Sequence, residues 1–256
     1  MIPMCALYFL GTIALVLAGI EIGYRVGLSP KRQSKGEKEP TVSAIVASIL
    51  ALLAFMLAFT FNIVSNRFEE RKLLVREEAN AIGTAYLRSD FLAEQDRAKA
   101  AELYKNYLDI RLNAALKSNR DEIKALLVET ANIQKQLWDM AVRNARTDMH
   151  SDIGALYIEA LNHVIDVHGL RVNVGLELRL PIGIWLVLFS LVSFSMLGLG
   201  YLTAISGSKR SLANIVLAFA FSIVIAMIVS LDRPERGLFE VSQQPLLNLQ
   251  KSLANR

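Results

Sequence analysis

Residues 43–66 read SAIVASILALLAFMLAFTFNIVSN, and residues 67–86 continue as RFEERKLLVREEANAIGTAY. The first stretch holds no charged side chain. It exceeds the roughly 20 residues that a helix rising 1.5 Å per residue needs to cross about 30 Å of hydrocarbon. A helix is the form in which such a run pairs its backbone N–H and C=O groups inside lipid. Neither Gly nor Pro falls between Ala44 and Ala81, so the spacing predicts one rod that leaves the bilayer and continues to about Tyr86.

Working outward, residues 1–20, 180–208 and 211–231 also lack any charged side chain. This segregation explains how 53% hydrophobic and 20% charged residues coexist in 256. The pattern predicts an all-α membrane protein: four transmembrane helices, with a large helical-bundle domain between spans 2 and 3. Residues 1–66 carry spans 1 and 2. Span 1 runs from about Met4 to Tyr24, and a basic linker, 25–42, follows it with Pro30, Gly36 and Pro40 as helix breakers. Residues 67–180 form the extramembrane domain, 181–231 an antiparallel hairpin of spans 3 and 4 opened by Pro181, and 232–256 a tail. The first run lacks the basic start and small-residue cleavage site of a secretory leader, so it is expected to stay as a span.

Within the domain, apolar residues recur at helical spacing, as Leu103, Tyr107, Ile110 and Ala114, then Ile123, Leu126, Leu127 and Leu137. Three helices are predicted there. One covers about 92–117 with Asp90 as its cap. The next covers 121–147, with Asn119 and Glu122 as a capping pair. The last starts after Ser151 and runs to about His168, where Gly169 offers a stop, with more helix expected beyond it. No β alternation and no internal repeat is present.

The net charge of +4 does not point to nucleic acid. From Arg67 to Pro181 there are 17 Lys/Arg against 18 Asp/Glu, and the basic excess lies beside the membrane as Arg25, Lys31, Arg32, Lys35 and Lys38. With four spans both termini share a side with the domain. Basic residues near the span ends number seven on the short-loop side and eight on the domain side, which does not decide; the dense basic cluster of the first loop leans slightly toward short loops in the cytoplasm and the domain outside.

Motifs of soluble enzymes are missing: no Gly-rich phosphate loop, no HExxH and no cysteine cluster, Cys5 being the sole cysteine. The stretch with His163, Asp166 and His168 is the most enzyme-like. The two histidines are five apart and fall on different helix faces, which is not the i,i+4 pair that a helical metal site uses. A bundle helix with polar contacts accounts for them. No catalytic residue, metal or cofactor is expected.

Four other features stand out. Ala51, Phe55 and Phe59 lie at i, i+4 and i+8, forming one stripe on span 2, with Thr60 and Asn62 beside it. Such a stripe either packs against lipid and neighbouring subunits or, in a ring of copies, narrows a pore that gates by dewetting. Glu21, near the end of span 1, is an ionisable group at membrane depth, within one turn of Arg25. The run Arg67, Glu69, Glu70, Arg71, Lys72, Arg76, Glu77, Glu78 pairs with itself along a helix. On the same helix Asn80, Gly83 and Thr84 allow close approach of a neighbour or a buried hydrogen bond.

Several motifs together resemble the bestrophin-like family of prokaryotic membrane proteins, a distant relative of the bestrophin ion channels. The stretch Asn62-Ile-Val-Ser-Asn-Arg-Phe-Glu-Glu-Arg-Lys-Leu resembles the bestrophin segment in which Asn precedes Arg, aromatic residues and Glu. Asp232-Arg-Pro-Glu-Arg-Gly-Leu-Phe with Gln244-Pro-Leu-Leu is similar to the bestrophin tail. Glu77-Glu-Ala-Asn-Ala-Ile-Gly-Thr, His168-Gly-Leu-Arg and Val241-Ser-Gln-Gln-Pro-Leu are closer to the bestrophin-like group itself. The resemblance implies a homopentamer in the bilayer of the cell inner membrane, with the helical domain and both termini in the cytoplasm. It implies an ion channel for small anions such as chloride, span 2 lining the axis. Phe55 and Phe59 would form the neck with Ala51 as a third ring, and Asn62 and Thr60 would supply pore or vestibule polarity. Arg67, Glu70 and Asn80 would form a network at the helix base. Glu69 replaces one family aromatic, and the tail lacks an acidic calcium clasp, so calcium gating is not expected. The rival reading is a membrane-anchored scaffold or sensor that does not conduct and whose helical domain docks a partner.

Overall fold

Glu39–Arg88 is a single helix of 50 residues, the rod anticipated from the uninterrupted run after Ser43. It begins earlier than expected because Pro40 sits in its first turn, where a missing N–H costs nothing. The computed structural model describes residues 4–29, 38–117, 119–208, 212–233 and 239–255. The helices are α1 Met4–Gly27, α2 Glu39–Arg88, α3 Glu94–Leu116, α4 Arg120–Thr147, α5 Asp152–Val172, α6 Ile182–Ile205, α7 Leu212–Asp232 and α8 Gln244–Ala254. No strand occurs among the described residues. Lys31, Arg32, Lys35, Lys209, Arg210 and residues 234–238 of the tail motif lie outside them.

Two compact units divide the chain: Met1–Phe68 with Arg179–Glu240, and Glu69–Leu178 with Val241–Arg256. The tail is therefore shared, its last stretch belonging with the helical domain.

Among the described residues four helices are long and apolar enough to cross a membrane. α1 packs on α6 through small residues spaced by four. A Cβ on Gly23 would overlap the backbone carbonyl of Leu197, and one on Gly200 the carbonyl of Ile20. Gly27 would meet the Ala204 Cβ at 2.6 Å. Lipid tails are as apolar as leucine, so such backbone contact, rather than a hydrophobic drive, holds membrane helices together. The core includes Val16, Leu53, Leu188, Val192, Met196 and Ile225. Near the starts of α1 and α6, Tyr8 lies 5.6 Å from Trp185, which stacks on Phe189 at 5.9 Å. Asp232, buried at the end of α7, accepts a hydrogen bond from the Leu180 N–H at 3.0 Å, which satisfies a backbone donor just ahead of α6.

In the second unit, residues 69–88 of α2 pack with α3, α4, α5 and α8 around Tyr104, Tyr107, Leu108, Leu137, Tyr157 and Leu161. Asn119 caps α4 as expected, accepting from Asp121 N at 3.0 Å, and Ser151, after which a helix was expected to start, caps α5 by accepting from Gly154 N at 3.1 Å. Glu122 instead pairs with Lys117 at 2.8 Å. Asp90 does not cap α3. It lies in a 3₁₀ turn, Ser89–Phe91, and the helix start is held from across the bundle: the Ala93 N–H donates to Asn144 Oδ1 at 2.8 Å. Gly169 does not stop α5, which runs on to Val172 and then widens into a π turn, Asn173–Glu177. The frame ends where Leu178 becomes extended.

Candidate functional site

Two places in the molecule concentrate functional side chains, one in each unit. On the membrane part of α2, the helical period separates residues into a packed and an outward face. Leu53, Leu57, Thr60 and Val64 are buried, whereas Ala51, Phe55, Phe59, Asn62 and Asn66 are exposed. Phe55 and Phe59 are 65% and 53% exposed, and their rings stack with centroids 6.4 Å apart and planes 15° from parallel. Ala54 and Ala58, one residue before each ring and so about 100° back from it, flank this face and are also exposed. Asn62 shares the phenylalanine face. Thr60 does not, because it is one residue, hence about 100°, further round than Phe59. Its hydroxyl donates to the Met56 carbonyl one turn back at 2.7 Å.

Glu21 pairs with Arg25 one turn on: Arg25 Nε donates to Glu21 Oε1 at 2.6 Å. The network expected of Arg67, Glu70 and Asn80 is carried by their neighbours. Asn80 and Glu70 are exposed, and Arg67 Nη1 is buried with no hydrogen-bond partner. Arg71, by contrast, is buried, and its Nε donates to the Val174 carbonyl at 3.1 Å, its Nη2 to the Leu178 carbonyl at 3.4 Å. The π turn explains this choice, since widening frees carbonyls that an α-helix would have used. Gly83 serves close approach: a Cβ there would press on Leu249 of α8 at 3.2 Å.

The second place is an ionic cluster at the heart of the helical unit. Glu78, with 0% exposure, sits on the α2 face that also carries Val75, Ile82 and Ala85. Its Oε1 accepts from Arg111 Nε of α3 at 2.7 Å, and Oε2 pairs with Arg171 Nη1 of α5. Arg171 Nη2 reaches the Gln243 side-chain oxygen, and Gln243 Nε2 donates to the Val241 carbonyl at 2.8 Å. His168 lies edge-on to Tyr107, its Nδ1 buried without a hydrogen-bond partner 4.0 Å from Glu78 Oε1. Three of the four segments that meet here, those of Glu78, of His168 and Arg171, and of Gln243, are the three motifs closest to the bestrophin-like group.

Burial sets the protonation states. Desolvation lowers the Arg171 guanidinium to about 10 and lowers that of Arg111, though both stay charged at neutral pH. His168 is lowered to about 4, first by burial and then by the Arg111 charge. Burial likewise raises the Tyr107 phenol. One carboxylate thus faces two guanidiniums beside a neutral imidazole, an arrangement built for fixing helices rather than for moving protons at neutral pH. His163 is exposed and 3.9 Å from Glu77, Asp166 is exposed, and the two do not join His168. Among the described residues no group of three His, Cys, Asp or Glu side chains is placed to hold a metal.

Glu78 and Arg111 escaped the sequence reading as individuals. The signal available was a charge inside an apolar stripe, Val75, Glu78, Ile82 and Ala85 at spacings of three and four.

Compared with known proteins, residues 12–246 match a family model described as a Bestrophin-like domain. One solved structure, a crystal structure of a membrane protein, aligns with a TM-score of 0.60 at 13% identity, covering 98% of this chain and 97% of the other. That likeness is one of fold. No curated protein matches the chain.

Proposed function

Because the chain belongs to the Bestrophin-like family and is a multi-pass membrane protein, we propose that it acts as a homo-oligomeric ion pore whose axis is lined by α2. The observation that carries this reading is the outward face of α2, where Phe55 and Phe59 stack in line with Asn62 and Asn66. Two amides at the end of a span are costly against lipid, and cost little where several copies enclose water. The exposed Ala54 and Ala58 that flank the rings let neighbouring helices approach closely. Phe55 and Phe59 then form a hydrophobic neck, widened at Ala51, that opens and closes by wetting. Asn62 marks its polar end.

The number of copies is five and the carried ions are small anions such as chloride, both following the family resemblance. The same resemblance puts the protein in a bacterial inner membrane, with the helical unit and termini on the cytoplasmic side. Protease added to sealed vesicles of each orientation tests the sidedness. The decisive experiment is anion flux from liposomes holding purified protein. Wild type carries a gated flux, and Phe55→Ala with Phe59→Ala raises it about tenfold or more by removing the neck. Absence of flux in both forms, together with a monomer in lipid nanodiscs, favours the anchored scaffold instead.

A further inference from the structure

In the helical unit α3 and α8 border a cavity of about 360 Å³, lined by Lys105, Leu108 and Asp109 of the first and by Gln250, Lys251 and Leu253 of the second. Leu108 and Leu253 are buried and give it an apolar floor. The polar lining is three charged groups and an amide. Lys105 and Asp109 stand at i and i+4, where oppositely charged side chains can pair along a helix. Asp109 is engaged from the other helix instead: Gln250 Nε2 donates to its Oδ1 at 2.6 Å. Among the described residues neither the Lys105 nor the Lys251 ammonium has an ion-pair or hydrogen-bond partner. An ionised carboxylate offers about four acceptor positions, and Gln250 takes one of them. The cavity therefore presents two cations that nothing neutralises and an anion with lone pairs to spare.

From this arrangement we infer that the cavity binds an acidic α-amino acid, whose two carboxylates and one ammonium oppose the two lysines and Asp109. The ligand's ammonium donates to Asp109 and to the side-chain carbonyl of Gln250, and one carboxylate faces each lysine. Lys105 and Asp109 are about 6 Å apart along α3 at 1.5 Å per residue, a distance that a short carbon chain between charged groups covers. The methylenes of that chain lie on Leu108 and Leu253. The cavity is larger than the amino acid, which leaves room for bridging water, and its size falls in the usual range for small-ligand sites. Charge selects among ligands of this kind. An amide in place of the distal carboxylate leaves one lysine unanswered, and a dicarboxylate without the amine leaves Asp109 unanswered. Phosphate sets its charge against Asp109 with no ammonium between them. Both helices belong to the helical unit, so the inference does not depend on conduction, and an anchored scaffold would carry the same site.

The test is a binding titration by NMR of the full-length protein in detergent with L-glutamate, L-glutamine, glutarate and inorganic phosphate, all at one ionic strength. L-glutamate is expected to bind about threefold or more tighter than each of the others, the scale of one exposed ion pair. Asp109→Asn brings glutamate down to the level of glutarate, and Lys251→Met brings it down to that of glutamine. Both side chains are exposed, and circular dichroism checks that the variants stay folded. Should one unfold, the ranking in the unaltered protein still decides. Phosphate bound as tightly as glutamate marks a plain anion site and overturns the inference. So does glutarate or glutamine matching glutamate, the lack of saturable glutamate binding, or a glutamate preference that survives both substitutions.

Discussion

Glu78 and Glu21 each meet an arginine at nearly the same range, Arg111 at 2.7 Å and Arg25 at 2.6 Å, yet their surroundings differ. Glu78 is fully buried and holds a second arginine, whereas Glu21 is one-third exposed and its partner mostly so. Distance alone therefore says little about what an ion pair contributes. Breaking a buried pair strands a charge in a medium that cannot solvate it, while breaking an exposed one returns both groups to water. The helical unit uses charge to pin its core, and the membrane unit uses backbone contact between small residues.

The largest expected effect is at the buried carboxylate. Glu78→Leu leaves Arg111 and Arg171 facing each other without an anion, at a cost of about 3–5 kcal/mol. Limited proteolysis should then cut the helical unit quickly while the spans stay protected. A variant whose proteolysis pattern is unchanged would show that the cluster is dispensable, and the contrast between the units would collapse. The counterpart in the membrane unit is Gly23→Ala. Its added Cβ overlaps the Leu197 carbonyl, so α1 must move off α6 at a cost of about 1–3 kcal/mol. A lowered thermal midpoint, with the helical unit still resistant to protease, is the expected outcome.

Acid probes the cluster more gently. His168 has an ordinary value of 6.5 that falls to about 4 in the folded chain. Between these values the unfolded chain binds one more proton than the folded chain, so stability declines as pH falls through this window. One such group gives a slope of at most about 1.4 kcal/mol per pH unit. Burial and the Arg111 charge beside it oppose an added proton. In His168→Gln this part of the slope should vanish from unfolding midpoints measured between pH 6.5 and 4. An unchanged slope would place the acid sensitivity elsewhere.

Much of the fold was legible because lipid imposes a simple rule: four charge-free runs of sufficient length must be helices. The continuous α2 followed from the absence of Gly and Pro between Ala44 and Ala81. What hydropathy could not reveal was how the spans touch. Gly19, Gly23 and Gly27 are spaced by four in plain view, but their partners Met196, Leu197 and Ala204 lie far along the chain. The phenylalanine stripe was correctly grouped by spacing, and Thr60 was misgrouped because adjacency in sequence is 100° of rotation in a helix. Glu78 was quoted within a motif without being recognised as its centre, since pairing with Arg111 and Arg171 depends on contacts 33 and 93 residues apart. Asp90 misled for the opposite reason: it has capping chemistry but sits three residues before the Ala93 cap, and Asn144 from another helix satisfies the Ala93 N–H.

The smallest effect sharpens the comparison most. In a double-mutant cycle of Glu21→Gln and Arg25→Gln, the coupling should be below about 1 kcal/mol, as for exposed pairs generally. The same cycle on Glu78→Gln and Arg111→Gln should return several times more, because each single change leaves a buried group unsatisfied. Thermal unfolding in one detergent supplies both numbers, and screening distinguishes their origins. Raising salt from about 0.05 to 0.5 M shortens the Debye length from more than 10 Å to less than 8 Å, which weakens the Glu21 coupling and leaves the Glu78 coupling nearly constant. Equal couplings at low salt would mean that Glu21 is desolvated as strongly as Glu78. The end of α1 would then have to be redrawn as a buried site.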